Sequence, residues 1–150
     1  MKSIANSQDE IRLLERYIRD RARQGETLRI LEAGCGREWL FRMDDVDYEL
    51  TGVDLDGAAL EARLQQRRDL HRSIVGDLRT VELEPAGYDI IYSAFVLEHV
   101  PGAERVLENF VRWLKPGGIF IVRVPDITSA HAFIARLTPH WFHVLYYRWA

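Results

Sequence analysis

Leu28-Arg29-Ile30-Leu31-Glu32-Ala33-Gly34-Cys35-Gly36 is the stretch that decides how the rest of the chain reads. A short β-rich run, residues 28–31, leads into two glycines separated by one residue. Glycines there allow a tight turn and let a ligand approach backbone N–H groups without Cβ interference. Outward from it, β-rich runs recur at 48–53, 72–75, 88–92 and 118–124, with helical stretches between several of them, most clearly 57–70 and 103–114. In the latter, Val106, Leu107, Phe110, Trp113 and Leu114 fall on one side. Ahead of the first strand, Ile11, Leu14, Ile18 and Ala22 form one apolar stripe on a helix over 8–23, which Gly25 stops. Strands alternating with helices predict βαβ units, hence an α/β fold with a doubly wound, mainly parallel sheet of about five strands. Ile30-Leu31, Asp89-Ile90-Ile91-Tyr92 and Ile119-Phe120-Ile121-Val122 fit strands buried on both faces. Ligands in such sheets bind outside the carboxyl ends of the strands, near the switch in strand order.

Composition narrows the function classes. The chain has 150 residues, 47% hydrophobic and 29% charged, enough for one globular domain with a real core. With 20 basic against 23 acidic residues there is no broad positive field, so nucleic acid is not an expected partner. The single cysteine, Cys35, excludes an intrachain disulfide framework and a cysteine-rich zinc module. Five scattered histidines show no metal-ligand spacing, and no metal is expected. No apolar run approaches the ~20 residues that span a bilayer, and the N-terminus lacks a signal-peptide core. The expectation is a soluble, cytoplasmic protein with no membrane partner.

The residues at the strand ends carry the chemistry. After the first strand come Gly34 and Gly36. The second ends Gly52-Val53-Asp54-Leu55-Asp56, with Asp54 standing 18 residues beyond Gly36. A carboxylate there can accept two hydrogen bonds from a ribose diol. Asp54 could instead cap the helix that begins near Gly57, but Asp56 suits that cap better. The third strand ends Val75-Gly76-Asp77-Leu78. The fourth ends Ile91-Tyr92-Ser93 and leads into Val96-Leu97-Glu98-His99-Val100, and Lys115-Pro116-Gly117-Gly118 turns a helix into the fifth.

With these motifs in this order, each at a strand boundary, residues 28–126 resemble the class I S-adenosylmethionine-dependent methyltransferases, whose fold is Rossmann-like. The resemblance implies S-adenosyl-L-methionine as cofactor and methyl transfer to a small-molecule acceptor. It places Gly34 and Gly36 against the methionine and ribose parts, with Glu32 anchoring their loop and helping to hold the methionine amine. Asp54 takes the ribose hydroxyls and Leu55 lies against the adenine. Asp77 accepts from the adenine amino group, and Leu78 packs on the other face. Ser93 and Ala94 line the floor below the sulfonium. Cys35 belongs to the same cofactor loop and reads as a packing residue, with nothing beside it to activate a thiol. No general base is assigned: His99, His140 and His143 are the candidates, and for His99 packing within its turn is the competing reading.

Two departures from the family pattern stand out. The family's third loop glycine is replaced by Glu38, whose side chain would either crowd the methionine end or favour its positive charge. The usual core also closes with an antiparallel pair of strands. Only five strands are found, and the 26 residues after Val124 (150 − 124) do not comfortably hold the missing elements. The expected layout is a single domain over 1–150: an N-terminal helix (1–25), a cofactor-binding core (26–126) and an aromatic segment (127–150). The last is either the start of truncated material, a cover for the sheet edge or a homodimer contact. The alternative to an enzyme is a domain that binds the cofactor without catalysing transfer, or a fragment of a longer methyltransferase.

Overall fold

The computed structural model describes residues 7–22 and 26–125. Helix α1 (Ser7–Arg19) precedes strand β1 (Leu28–Ala33) and strand β2 (Tyr48–Asp54). Helix α2 (Gly57–Gln66) leads to β3 (Arg72–Val75), and β4 (Tyr88–Ala94) follows. A 3₁₀ turn (Leu97–His99), helix α3 (Ala103–Trp113) and β5 (Leu114–Arg123) complete the order. The five strands form one parallel sheet in the order β3-β2-β1-β4-β5, so the expected α/β architecture holds. The strand order reverses between β1 and β4, which puts a crevice above their carboxyl ends.

Both faces of the sheet are covered. On one face Leu31, Val53 and Ile91 pack against Val106, Phe110 and Trp113 of α3. On the other, Ile30, Leu50 and Ile90 pack with Ile18 of α1 and with Phe41 and Met43, and Ile11 and Leu14 join them. The central strands β1, β2 and β4 are buried for most of their length. β5 is not: Phe120 is 47% exposed and its neighbours are half-buried, against the expectation of a strand covered on both faces. Among the described residues β5 ends the sheet, and a terminal strand has covering neighbours on fewer sides.

Three boundaries differ from the sequence reading. α1 ends at Arg19, short of Gly25, because N–H groups of Arg21 and Ala22 turn back to the carbonyls of Ile18 and Arg19 in tighter, three-residue steps. Gly25 lies outside the described residues. Trp113 passes directly into β5, and Lys115-Pro116-Gly117-Gly118 forms a bulge within it rather than a turn before it. Tyr88 pairs with Leu114 and Ile90 with Ile119, while Gly117 takes φ +79°. Finally, α2 ends at Gln66, short of Leu70: the N–H groups of Arg67 and Arg68 both turn back to the Arg63 carbonyl, and Arg68 takes φ +54°. The crossover from β1 to β2, where the sequence marks no helix, contains none. Instead Trp39, Phe41 and Tyr92 meet edge-on beneath the sheet, with ring centroids 4.8–5.8 Å apart. The whole aromatic segment, 127–150, with His140 and His143, lies outside the described residues.

Candidate functional site

A cleft of about 380 Å³ opens above the carboxyl ends of β1, β2, β3 and β4. One wall carries Gly34, Asp54 and Leu55, the end carries Gly76, Asp77, Leu78 and Arg79, and the other wall runs through Ala94, Phe95, Val96, His99, Val100 and Pro101. A second cavity, about 350 Å³, sits at the opposite ends of the strands beside Leu28 and Lys115. Its two basic groups are already engaged: Lys115 Nζ is 2.7 Å from Asp89, and Arg21 donates to the Gly117 carbonyl. None of the residues selected from the sequence lines it. The cleft is therefore the candidate site.

The loop after β1 is built for close approach. Gly34 has φ +74°, and a Cβ there would meet the Val96 side chain at 2.2 Å, so no other residue fits without displacing one wall of the cleft. Gly36 needs glycine only for its φ of +51°. The loop's N–H groups are already used: Gly34 and Cys35 donate to the Val53 carbonyl, and Gly36 donates to Asp54 Oδ2 at 2.7 Å. The glycines thus supply room rather than the free donors that the sequence suggested. Asp54 also accepts from the Asp56 N–H at 2.9 Å, so both of its oxygens are oriented while each retains a further lone pair. Asp56 caps α2 by accepting from Ala58 and Ala59, as its position predicts.

Beneath the loop lies an arginine that pattern reading missed. Arg63 of α2 is 1% exposed and reaches three elements at once. Its Nη1 donates to the Cys35 carbonyl at 2.7 Å, and its Nε and Nη2 donate to the two oxygens of Asp69 at 3.0 Å. Nη2 also stands 2.8 Å from Glu32 Oε2, but off the line of a hydrogen bond, so that oxygen is buried with its charge only partly compensated. Burial pushes the Glu32 carboxyl up to about 8 despite the opposing pull of Arg63. Glu32 is 5% exposed and is not on the cleft wall; it buttresses the loop from behind. Cys35 is buried too, its thiol pushed up to about 12 by burial and by Glu32. It is a protonated packing group.

Of the remaining sequence candidates, Leu55 stands at the rim with 68% of its surface exposed. Leu78 is buried at the end wall and Ala94 forms part of the side, whereas Ser93 lies below the surface with an unpartnered hydroxyl. His99 lines the cleft within the 3₁₀ turn. Glu38 points elsewhere: it pairs with Arg67 at 3.0 Å on the exposed surface and does not line the cleft. Asp77 is engaged by Arg79, whose N–H and guanidinium hold its carboxyl down to about 2. Phe95 was also missed. It adopts φ +57°, a conformation costly for a bulky side chain, and presents a half-exposed ring to the cleft under the Arg123 guanidinium, 4.9 Å away. Arg123 is in turn gripped by both oxygens of Glu10 at 2.8 Å, tying α1 to the end of β5. Among the described residues no group of acids, histidines or cysteines could hold a metal ion, and no helix is long and apolar enough to cross a membrane.

Comparison with known proteins places the same region. Residues 31–122 match the family described as a methyltransferase domain. The malonyl-(acyl-carrier protein) O-methyltransferase of Serratia marcescens is 30% identical over 124 residues, covering 78% of this chain and 48% of that protein. The TehB-like SAM-dependent methyltransferase of Corynebacterium glutamicum is 28% identical, with a TM-score of 0.57 over 71% of this chain and 59% of that one. The (4+2)-cyclase SpnF shares the fold at 21% identity, with a TM-score of 0.59 over 77% of this chain and 44% of that one. The chain spans less than half the length of the curated relatives it matches.

Proposed function

Because the chain belongs to the family of methyltransferase domains, whose methyl donor is S-adenosylmethionine, we propose that this cleft binds that cofactor and that the protein transfers its methyl group to a small-molecule acceptor. The observation that carries the reading is the Gly34–Asp54 corner. A loop with no room for a Cβ faces the cleft, and a carboxylate oriented by two backbone N–H groups stands beside it. That donor and acceptor set suits a cationic, ribose-bearing ligand. Asp54 takes the ribose hydroxyls, Leu55 and Leu78 flank the base, the Asp77 end receives the purine edge, and Gly34 with Ala94 lies closest to the methionine part. Glu32, Cys35, Gly36 and Ser93 act from behind this surface, through the loop and the strand ends. When bound, the cofactor supplies an electrophilic methyl group, and the protein's part is to orient it and exclude water. His99 is the base candidate within the cleft.

The acceptor is proposed to be small because nothing in the charge balance favours a nucleic acid. Segment 127–150 is proposed to make a homodimer contact, on the strength of its aromatic content. Calorimetry with S-adenosylhomocysteine tests the cofactor site: Asp54→Ala should weaken binding by about 1.5–3 kcal/mol, the worth of a charge-assisted hydrogen bond. Equal affinity in wild type and variant would remove Asp54 from the site. Since one protein of this fold is a cyclase, binding alone does not establish transfer. Transfer of labelled methyl to an acceptor panel, weakened in Asp54→Ala at limiting cofactor, is the second arm.

A further inference from the structure

We propose that Arg79 determines specificity at the purine end of the cleft: the intact Asp77–Arg79 pair, rather than a free Asp77 carboxylate, meets the base and reads its acceptor edge. The inference rests on the cofactor reading above and changes which residue does the recognising.

The lone pairs of Asp77 are the starting point. A carboxylate has about four acceptor directions. Here three N–H groups of Arg79 engage it: the backbone N–H to Oδ1 at 2.8 Å, the single Nε–H shared between Oδ1 and Oδ2 at 3.0 Å each, and an Nη2–H to Oδ2. A purine amino group is a neutral donor. To reach Asp77 it would have to displace a planar, charged fork, and charge-assisted bidentate pairs are the stronger class of hydrogen bond.

The pair is also built in rather than accidental. Buried Asn109 of α3 donates to the carbonyls of Leu78 and Arg79 at 2.8 and 3.2 Å, pinning the backbone that carries the guanidinium. The N–H groups of Thr80 and Val81 close a turn on the Asp77 carbonyl. Arg79 Nη1 then reaches the Pro101 carbonyl at 3.3 Å, so the side chain spans from the end wall to the opposite wall of the cleft.

A guanidinium carries five N–H donors and no acceptor. One N–H on each of Nη1 and Nη2 is not used by Asp77 or Pro101, and at this lining position a ring nitrogen or a ring carbonyl can accept from them. Such a wall accepts purines by their acceptors and is indifferent to the exocyclic amine. A bare carboxylate would do the opposite, accepting from the amine and losing that bond where the amine is absent.

The experiment is calorimetric titration of wild type and Arg79→Met with S-adenosylhomocysteine and with its 6-deamino analogue, in which hydrogen replaces the amine and the ring nitrogens remain acceptors. Wild type is expected to bind the two within about threefold, whereas Arg79→Met, its Asp77 set free, prefers the amine by about tenfold or more. Arg79→Lys, which keeps the charge but not the planar fork, should shift the same way. Side chain 79 sits at the surface, so an unchanged thermal midpoint will show that the variants are folded. A preference ratio that Arg79→Met leaves unchanged overturns the inference while leaving the cofactor site standing. Failure of wild type to bind either compound overturns both.

Discussion

Replacing Glu32 by Gln should stabilise the protein at pH 9 and leave it nearly unchanged at pH 5. The Glu32 carboxyl has an ordinary value of 4.5 and is pushed up to about 8 because it is buried, a shift that Arg63 opposes but does not cancel. Between those two values the unfolded chain ionises this group while the folded chain keeps it protonated. Folding therefore takes up a proton, and stability falls as pH rises from about 4.5 to about 8, with no further loss above that. The interval of about 3.5 pH units (8 − 4.5), at about 1.4 kcal/mol per unit, amounts to roughly 5 kcal/mol of stability lost to this one group. Gln has the shape of the protonated acid and cannot ionise, so the loss disappears. Arg63 is not stranded by the change, because Asp69 and the Cys35 carbonyl still hold it. Urea unfolding of both proteins at pH 5, 7 and 9, compared at equal slope, isolates the group from every other titration. A difference between the two that is the same at all three pH values, or a variant less stable at pH 9, would refute the reasoning.

Three further perturbations follow from the same contacts. Gly34→Ala combines a positive φ with a 2.2 Å clash on Val96, and should cost about 2–5 kcal/mol of stability and abolish S-adenosylhomocysteine binding; a folded variant that binds normally would show that the loop has slack. Glu10→Gln removes one charge from the bidentate grip on Arg123. It should loosen α1, seen as faster amide exchange over residues 8–18, with a loss of about 1–2 kcal/mol; unchanged exchange there would mean that Ile11, Leu14 and Ile18 hold the helix unaided. Removing residues 140–150 should lower the mass by light scattering or the thermal midpoint, and no change in either would dispose of the proposed homodimer contact.

Much of this molecule was legible in one dimension because its signals are local. The glycine pair after β1, the acids closing β2 and β3, and the Asp56 cap all sit at positions where a strand must become a loop or a helix, and the fold follows that rhythm. Where the reading failed, two influences competed. The bulge at Lys115–Gly118 looks like a turn because its residues are turn formers, yet pairing with β4 draws them into the strand. The helical pattern carries α2 to Leu70, but the helix stops at Gln66, because the chain turns at Arg68, φ +54°, and so brings Asp69 onto the buried Arg63.

The sequence by itself therefore determined the parallel α/β sheet, its strands and the edge at which a ligand would sit, since each depends on residue type and short-range period. Only the tertiary structure decided which acids face the cleft and which are consumed. Glu32 turns inward to Arg63 from 31 positions away (63 − 32), and Cys35 is held by the same guanidinium across the α2 crossover. Asp77 is claimed by a near neighbour, Arg79, two positions on, but the loop that holds the two together is pinned by Asn109 from 30 residues beyond Arg79. Such pairings arise because burying a charge is costly unless a partner meets it, and which partner is within reach is set by how the crossovers pack, which no local period encodes.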